Sequence, residues 1–101
     1  MFINSTEEIS GIPSSYPGSP LRQGDSGEKV RQMQRQLNVI SNGYPLIPKI
    51  AEDGIFGPAT ENAVRTFQKI FNLTQDGIVG LRTWYKISEI YVGVSRIAEL
   101  V

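Results

Sequence analysis

The 101-residue sequence predicts an all-α fold, a small three-helix bundle of related loop-helix units, and two internal repeats carry this prediction. The octapeptide DGIFGPAT at 53–60 returns as DGIVGLRT at 76–83. The segment VRQMQRQLN at 30–38 returns as VRTFQKIFN at 64–72, and its apolar residues fall at i, i+3 and i+7, the stripe of an amphipathic helix. Because the first repeat covers a turn and the second a helix, we expect three copies of one loop-helix unit and almost no strand.

The first twenty residues are rich in Ser, Pro and Gly and show no apolar period, which is typical of a linker. Some of its side chains are more apolar than a spacer needs, which is compatible with part of it lying along the domain: Phe2, Ile3, Ile9 and Tyr16. We therefore divide the chain into a linker at 1–20, a domain at 21–93 and an extension toward a neighbouring domain at 94–101.

The first helix is predicted over about 27–41, and Asp25 and Glu28 have the spacing of a capping box at its start. Its inward stripe consists of Val30, Met33, Leu37 and Ile40. The loop at 42–52 that follows is apolar for a loop, so we expect it to fold back over the helices with Tyr44, Leu46, Ile47 and Ile50.

The second helix is predicted from Pro58 to about Asn72, since proline suits a first helical position. The third is predicted over about 80–92, with Gly93 fraying or stopping it. The side chains expected to face the core are Ala63, Val64, Phe67, Ile70 and Phe71 in the second helix and Leu81, Trp84, Ile87, Ile90 and Tyr91 in the third.

A turn precedes each of these two helices, and we call the turns the first DG loop (53–57) and the second DG loop (76–80). Asp can accept hydrogen bonds from amides just ahead of it, and Gly tolerates positive φ. The aliphatic after each pair, Ile55 or Ile78, is expected to be buried. Gln34 and Gln68 are expected to bond loop backbone. The residues expected to form the turns are Asp53, Gly54, Gly57, Asp76, Gly77 and Gly80.

The composition removes much catalytic chemistry. The chain has neither cysteine nor histidine, so it has no disulfide and no thiolate ligand, and the commonest base and metal ligand is missing. Neither DG loop has the spaced oxygen ligands of an EF-hand, and no motif pairs two carboxylates. We expect no catalytic residue, no metal and no cofactor, which argues against a self-sufficient hydrolase.

Charge and hydropathy limit the classes of partner that the chain can bind. Ten basic and ten acidic side chains give zero formal charge, and no helix is strongly basic, which argues against a three-helix nucleic-acid binder. No window approaches the roughly 18 apolar residues of a membrane span, and the N-terminus does not look like a signal peptide. We expect a monomer that binds neither nucleic acid nor a membrane.

Over residues 21–88 the chain resembles the peptidoglycan-binding domain 1 family, a three-helix module of bacterial cell-wall hydrolases. The resemblance has three parts: Leu21, Gly24, Gly27, Val30, Met33, Gln34 and Leu37; then Asp53, Gly54, Gly57, Pro58, Thr60, Ala63, Val64, Phe67 and Gln68; then Leu73, Asp76, Gly77, Gly80, Thr83, Trp84 and Ile87. The chain departs from the family in its longer, proline-rich loop at 41–52. Family members that serve as metalloprotease pro-segments use a cysteine, which this chain lacks.

The resemblance implies a non-catalytic module that binds peptidoglycan and targets an attached domain to the wall, outside the cytoplasm. The alternative is an architectural or regulatory domain that packs against a catalytic neighbour without wall affinity. Whether glycan or stem peptide is recognised stays open. We expect a shallow groove near the two DG loops and the starts of the second and third helices. The candidate ligand-binding residues are Tyr44, Phe56, Thr60, Gln68, Arg82, Thr83 and Tyr85, whereas Trp84 is expected in the core.

Overall fold

The computed structural model describes residues 15–100, with the side chains of 15–96. Three helices follow one another: α1 at Glu28–Gly43, α2 at Pro58–Ile70 and α3 at Leu81–Leu100. In this part of the chain no strand forms, and the only β-type pairing is two isolated antiparallel bridges, Leu21 with Val79 and Ser26 with Ile55. The prediction of an all-α fold with three helices is confirmed.

The start of α1 differs from the predicted capping box. Gly27 precedes the helix, and no side chain caps it. Asp25 instead accepts a hydrogen bond from the amide of Arg22 (2.9 Å), while the Gly27 amide donates to the carbonyl of Gly54 (2.9 Å). The chain before α1 is bonded to the first DG loop, so Asp25 is not placed over the free amides of the helix. The capping-box prediction is wrong.

The ends of α2 and α3 also differ from prediction. Helix α2 stops at Ile70, because Asn72 adopts a left-handed φ of 64° and the Leu73 amide donates back to the Gln68 carbonyl (2.8 Å), which is the closure of a Schellman motif. Helix α3 continues through Gly93. One glycine costs a helix only about 1 kcal/mol relative to alanine. The methyl groups of Val94 lie beside Gly43 of α1, and this packing supports the continuation.

The core lies between the three helices and their loops. Its buried apolar side chains are Leu21, Val30, Met33, Leu37, Ile40, Ile47, Phe56, Ala63, Val64, Phe67, Val79, Trp84 and Ile87. The core position predicted for Trp84 is confirmed. Leu81, which was predicted to face inward, is 40% exposed, because it lies in the first turn of α3 beyond the edge of the core.

The loop between α1 and α2 folds back as predicted, apart from exposed Leu46. Ile47 is buried, and Tyr44 packs edge-on against Phe71 with ring centroids 5.0 Å apart. Asn38 of α1 bonds both backbone groups of Ile50, donating to its carbonyl (2.8 Å) and accepting from its amide (2.9 Å). A side-chain amide thus fastens this loop to α1.

Residues 15–20 of the predicted linker lie along the domain. The ring of Tyr16 meets Trp84 edge-on with centroids 6.2 Å apart, and the indole N–H of Trp84 donates to the hydroxyl of Ser15 (3.2 Å). Phe2, Ile3 and Ile9 lie outside the described residues. The part of the linker nearest the domain is therefore structurally part of it.

Candidate functional site

The first DG loop is fastened by one buried side chain, Gln34 of α1. Its Nε2 group lies within hydrogen-bond distance of Asp53 Oδ1 (3.2 Å), the Ile55 carbonyl (2.9 Å) and Thr60 Oγ1 (3.0 Å). Its Oε1 accepts from the amide of Gly54 (2.8 Å). The whole side-chain amide is engaged inside the protein, so Gln34 fixes the loop and the start of α2 together.

The second DG loop repeats this arrangement with Gln68 of α2. Nε2 lies 3.0 Å from Asp76 Oδ1, 3.0 Å from the Ile78 carbonyl and 3.2 Å from Thr83 Oγ1, and Oε1 accepts from Gly77 (3.0 Å). Helix α1 therefore fixes the loop that leads into α2, and helix α2 fixes the loop that leads into α3. The interpretation of both glutamines as loop anchors is confirmed.

Within each loop the aspartate bonds the amide two residues ahead. Asp53 Oδ1 accepts from Ile55 (3.0 Å), and Asp76 Oδ1 accepts from Ile78 (3.0 Å). The hydrogen bond from the Ile55 amide, assisted by Gln34, holds the pKa of Asp53 below its ordinary value of 3.8, against the opposing effect of desolvation. Both aspartates thus act as local acceptors for their turns.

The aliphatic after each DG pair is not the residue that enters the core. Ile55 is 60% exposed and Ile78 is half-buried, so the prediction that this position is buried is wrong. The next residues, Phe56 and Val79, are the buried ones. In an extended segment neighbouring side chains face opposite ways, so each isoleucine lies on the outer side of its loop.

Residues 21–27, the entry segment, bond both DG loops from the other side. Leu21 exchanges two backbone hydrogen bonds with Val79, at 3.0 and 2.8 Å. Phe56 donates to Asp25 and accepts from Gly24, both at 2.9 Å. Every such bond joins main-chain atoms, so the sequence carries little side-chain signal for this arrangement.

A cleft of about 420 Å³ opens beside the second DG loop, and we call it the second-loop cleft. Its walls are formed by the residue before the entry segment, the segment that follows α2, the second DG loop and the first turn of α3. The lining residues are Pro20, Asn72, Leu73, Thr74, Asp76, Ile78, Gly80, Leu81, Arg82 and Thr83. Its lining combines aliphatic side chains with hydroxyl, amide and charged groups. Such a mixture is typical of small ligand sites.

A shallower cleft of about 310 Å³ lies at the start of α2, between Gln23 and the first turns of that helix. Its arginine, Arg65, is engaged: Nε donates to Glu61 (3.0 Å), and a terminal nitrogen donates to the Gln75 carbonyl (2.7 Å). We call it the α2 cleft. Both clefts lie at the start of a helix, and this one has its cation already paired.

The candidate ligand-binding residues differ in how far the structure buries them. Phe56, Thr60, Gln68 and Thr83 are buried, and the three polar ones are joined to the loop anchors described above. Tyr44 is half-buried against Phe71. Arg82 and Tyr85 are exposed, and Arg82 lines the second-loop cleft with Thr83. Pro20, Leu73, Thr74 and Leu81 also line this cleft, and the sequence did not indicate them as ligand-binding residues.

Two other kinds of site are not seen in the described part of the chain. Among those residues no group of acidic side chains is arranged to hold a metal ion. None of the three helices combines the length and the hydropathy that crossing a membrane requires, as far as residues 15–100 are concerned.

Comparison with known proteins decides the family. Residues 26–87, more than half of the chain, match the model of the family described as "Putative peptidoglycan binding domain". The chain belongs to this peptidoglycan-binding family. The resemblance inferred from the sequence is therefore confirmed, and with it the fold. The family is a non-catalytic binding domain that occurs as one part of cell-wall hydrolases.

Similar proteins include two wall-active enzymes. The chain is 38% identical to the zinc D-Ala-D-Ala carboxypeptidase of Streptomyces albus G, over 86% of this chain and 33% of the enzyme. It is 33% identical to the N-acetylmuramoyl-L-alanine amidase CwlL of Bacillus licheniformis, over 80% of this chain and 22% of the amidase. The peptidoglycan-binding domain thus spans about a third or less of these relatives.

Solved structures show the same fold. The SleB N-terminal domain superposes with a TM-score of 0.65 at 30% identity, covering 75% of this chain and 97% of that domain. A peptidoglycan-binding protein from Clostridioides difficile gives a TM-score of 0.61 at 36% identity, covering 71% of this chain and 42% of that protein. The aligned part of this chain therefore corresponds to nearly the whole SleB N-terminal domain.

Proposed function

We propose that this peptidoglycan-binding domain holds an attached domain of its parent protein against the bacterial cell wall, outside the cytoplasm. The family match over residues 26–87 carries the proposal. The aligned region covers 33%, 22% and 25% of three matched relatives, so in them the domain accompanies other parts. Attachment to a polymeric substrate raises the local concentration of the partner domain at that polymer. We expect the domain to act as a monomer.

We infer that the second-loop cleft is the wall-binding face. It is the larger of the two clefts, and its lining provides aliphatic contact, hydrogen-bonding groups and a cation. Tyr85 follows Leu81 by one helical turn, and both are about 40% exposed, which extends the apolar surface along α3. Among the candidate residues, Arg82 and Tyr85 are proposed to contact the ligand. The buried ones are proposed to keep the loop in shape.

Co-sedimentation with purified sacculi tests the proposal. The parent chain should move into the pellet, and Arg82→Ala or Tyr85→Ala should reduce that fraction several-fold while the melting curve stays nearly unchanged. Arg35→Ala is the matched control, because Arg35 is an exposed arginine on α1 that lines neither cleft. Equal retention of all four proteins would place the binding face elsewhere.

A folded parent chain that stays entirely in the supernatant would contradict wall binding itself. That outcome would favour the architectural alternative, in which the domain packs against a catalytic neighbour. Repeating the assay with sacculi stripped of their stem peptides then separates recognition of the peptide from recognition of the glycan.

A further inference from the structure

Arg82 has no protein partner in the described part of the chain. The ion pairs among residues 15–96 are Arg31 with Glu28, Arg65 with Glu61 and Lys86 with Glu89. The guanidinium of Arg82 enters none of these and makes no side-chain hydrogen bond to the described residues. Arg82 lines the second-loop cleft, and no described residue engages the five N–H donors of its side chain.

The α2 cleft provides an internal comparison. There the arginine is neutralised by Glu61 and also bonds a backbone carbonyl. The second-loop cleft contains Asp76, but that carboxylate is not paired with Arg82, and its Oδ1 is engaged by Gln68 and by the Ile78 amide. Of the two clefts, only the second-loop cleft therefore presents a cation that is not paired with any residue of the described part of the chain.

The residues that line the cleft suit one component of peptidoglycan, the stem peptide, better than the other, the glycan. Sugar rings commonly pack their C–H faces on aromatic side chains, and the lining of this cleft includes none. The exposed ring of Tyr85 lies one turn further along α3, outside that lining. Its apolar wall consists of small aliphatic surfaces, chiefly Leu73, Ile78 and Leu81, which suit the methyl groups of alanine residues. A guanidinium presents a planar pair of donors that matches a carboxylate in two parallel hydrogen bonds.

We propose that the second-loop cleft binds the stem peptide of peptidoglycan and that Arg82 pairs with one of its free carboxylates. Asp76 also lines the cleft, and its second carboxylate oxygen, which no described residue engages, is proposed to accept a peptide N–H of the same ligand. This inference rests on the proposed function, since it assigns the ligand chemistry of that same cleft. Arg82 is then the residue that determines specificity for a charged peptide over a neutral one.

NMR titration of the ¹⁵N-labelled chain tests this with two probes. One is the synthetic pentapeptide L-Ala-γ-D-Glu-L-Lys-D-Ala-D-Ala, and the other is the same peptide with both carboxyl groups amidated. The acid should shift amide signals of residues 73–83, and amidation should weaken binding about 10- to 100-fold, as expected for losing a charge-assisted hydrogen-bonded pair. In Arg82→Ala, acid and amide should bind equally weakly.

Two further variants complete the test. Arg82→Lys should retain part of the preference for the acid, because charge remains but the planar pair of donors is lost. Arg35→Ala should behave as the parent. Each variant must first show a native-like spectrum.

The inference is overturned if the parent binds acid and amide equally, or if Arg82→Ala keeps the parent's preference. It is also overturned if peptide-free glycan strands, and not the pentapeptide, shift the cleft signals; wall binding would then still stand. A parent chain that fails to sediment with intact sacculi would instead remove the proposed function.

Discussion

At the scale of single residues, the two buried glutamines are the most consequential polar side chains. Gln34→Ala leaves the Gly54 amide and the acceptors around it without their partner, and unpaired buried polar groups cost about 1 to 3 kcal/mol. We expect a loss of that size in the free energy of unfolding, measured by denaturant titration. Gln36→Ala, on the same helix but only half-buried, should change it by less than about 0.5 kcal/mol.

An isosteric change separates hydrogen bonding from packing at the same position. Gln34→Glu keeps the shape but replaces the donor group that faces Asp53, the Ile55 carbonyl and Thr60 with an acceptor. At neutral pH it should therefore destabilise the chain at least as much as Gln34→Ala. A variant as stable as the parent would show that volume, and not donation, is what this position requires.

The lowered pKa of Asp53 predicts how the stability of the chain changes at acidic pH. Its ionised form is favoured in the folded chain by the Ile55 amide and then by Gln34, so its contribution to stability is complete above the ordinary value of 3.8 and is lost as the pH falls through the lowered folded pKa. The difference in unfolding free energy between the parent and Asp53→Asn should shrink between neutral pH and about pH 3 or below. A difference that does not change with pH would contradict this assignment.

At the scale of elements, two glycines should respond in opposite directions to the same substitution. Gly93 lies inside α3 with open space where a Cβ would be, so Gly93→Ala should stabilise the chain by about 0.5 to 1 kcal/mol. Gly77 has φ of 72°, and a Cβ there would lie 2.8 Å from Cγ of Glu61, so Gly77→Ala should cost about 1 to 3 kcal/mol. Thermal melts of both variants measure this. Destabilisation by Gly93→Ala would mean that the helix ends there.

The elements also show what the sequence could and could not predict. The repeats predicted three helices and two turns, because apolar period and turn chemistry are local signals. The continuation of α3 past Gly93 depends on Val94 packing beside Gly43, a contact between distant residues that no local pattern records. The predicted buried position in the first DG loop was wrong by one residue, since Phe56 is buried rather than Ile55. Hydrogen bonds to Asp53, to Gln34 and to the backbone of the entry segment fix this position, and the apolar pattern does not record them.

The sequence predicted where a groove lies but not which of its side chains are free to bind a ligand. Its place beside the second DG loop and the start of α3 agrees with the cleft. The sequence could not separate Thr83 and Gln68, whose polar atoms are engaged internally, from Arg82, which remains open, because that distinction arises from three-dimensional hydrogen bonding. The contribution of Pro20 depends on the backbone pairing of Leu21 with Val79, which leaves no side-chain pattern.

At the scale of the whole molecule, the structural unit begins before the family match at residue 26. A chain of residues 15–101 should be more stable than one of 21–101 by about 1 to 3 kcal/mol, because the shorter one lacks the Tyr16 ring and the Ser15 hydroxyl that cover Trp84. Tyr16→Ala in the longer chain should reproduce part of the loss. Equal unfolding curves for both chains would show that this contact contributes nothing to stability.

The pairing of Leu21 with Val79 has a mechanical consequence for a domain that is proposed to anchor an attached domain. Tension from a partner on the N-terminal side would act first on the contacts of Ser15 and Tyr16 with Trp84. It would then act on the two hydrogen bonds between Leu21 and Val79, a residue whose neighbours Ile78 and Gly80 line the second-loop cleft. Tension from the C-terminal side would run along α3 to its first turn, which lines the same cleft. From either direction the load would therefore converge on the cleft that is proposed to hold the wall.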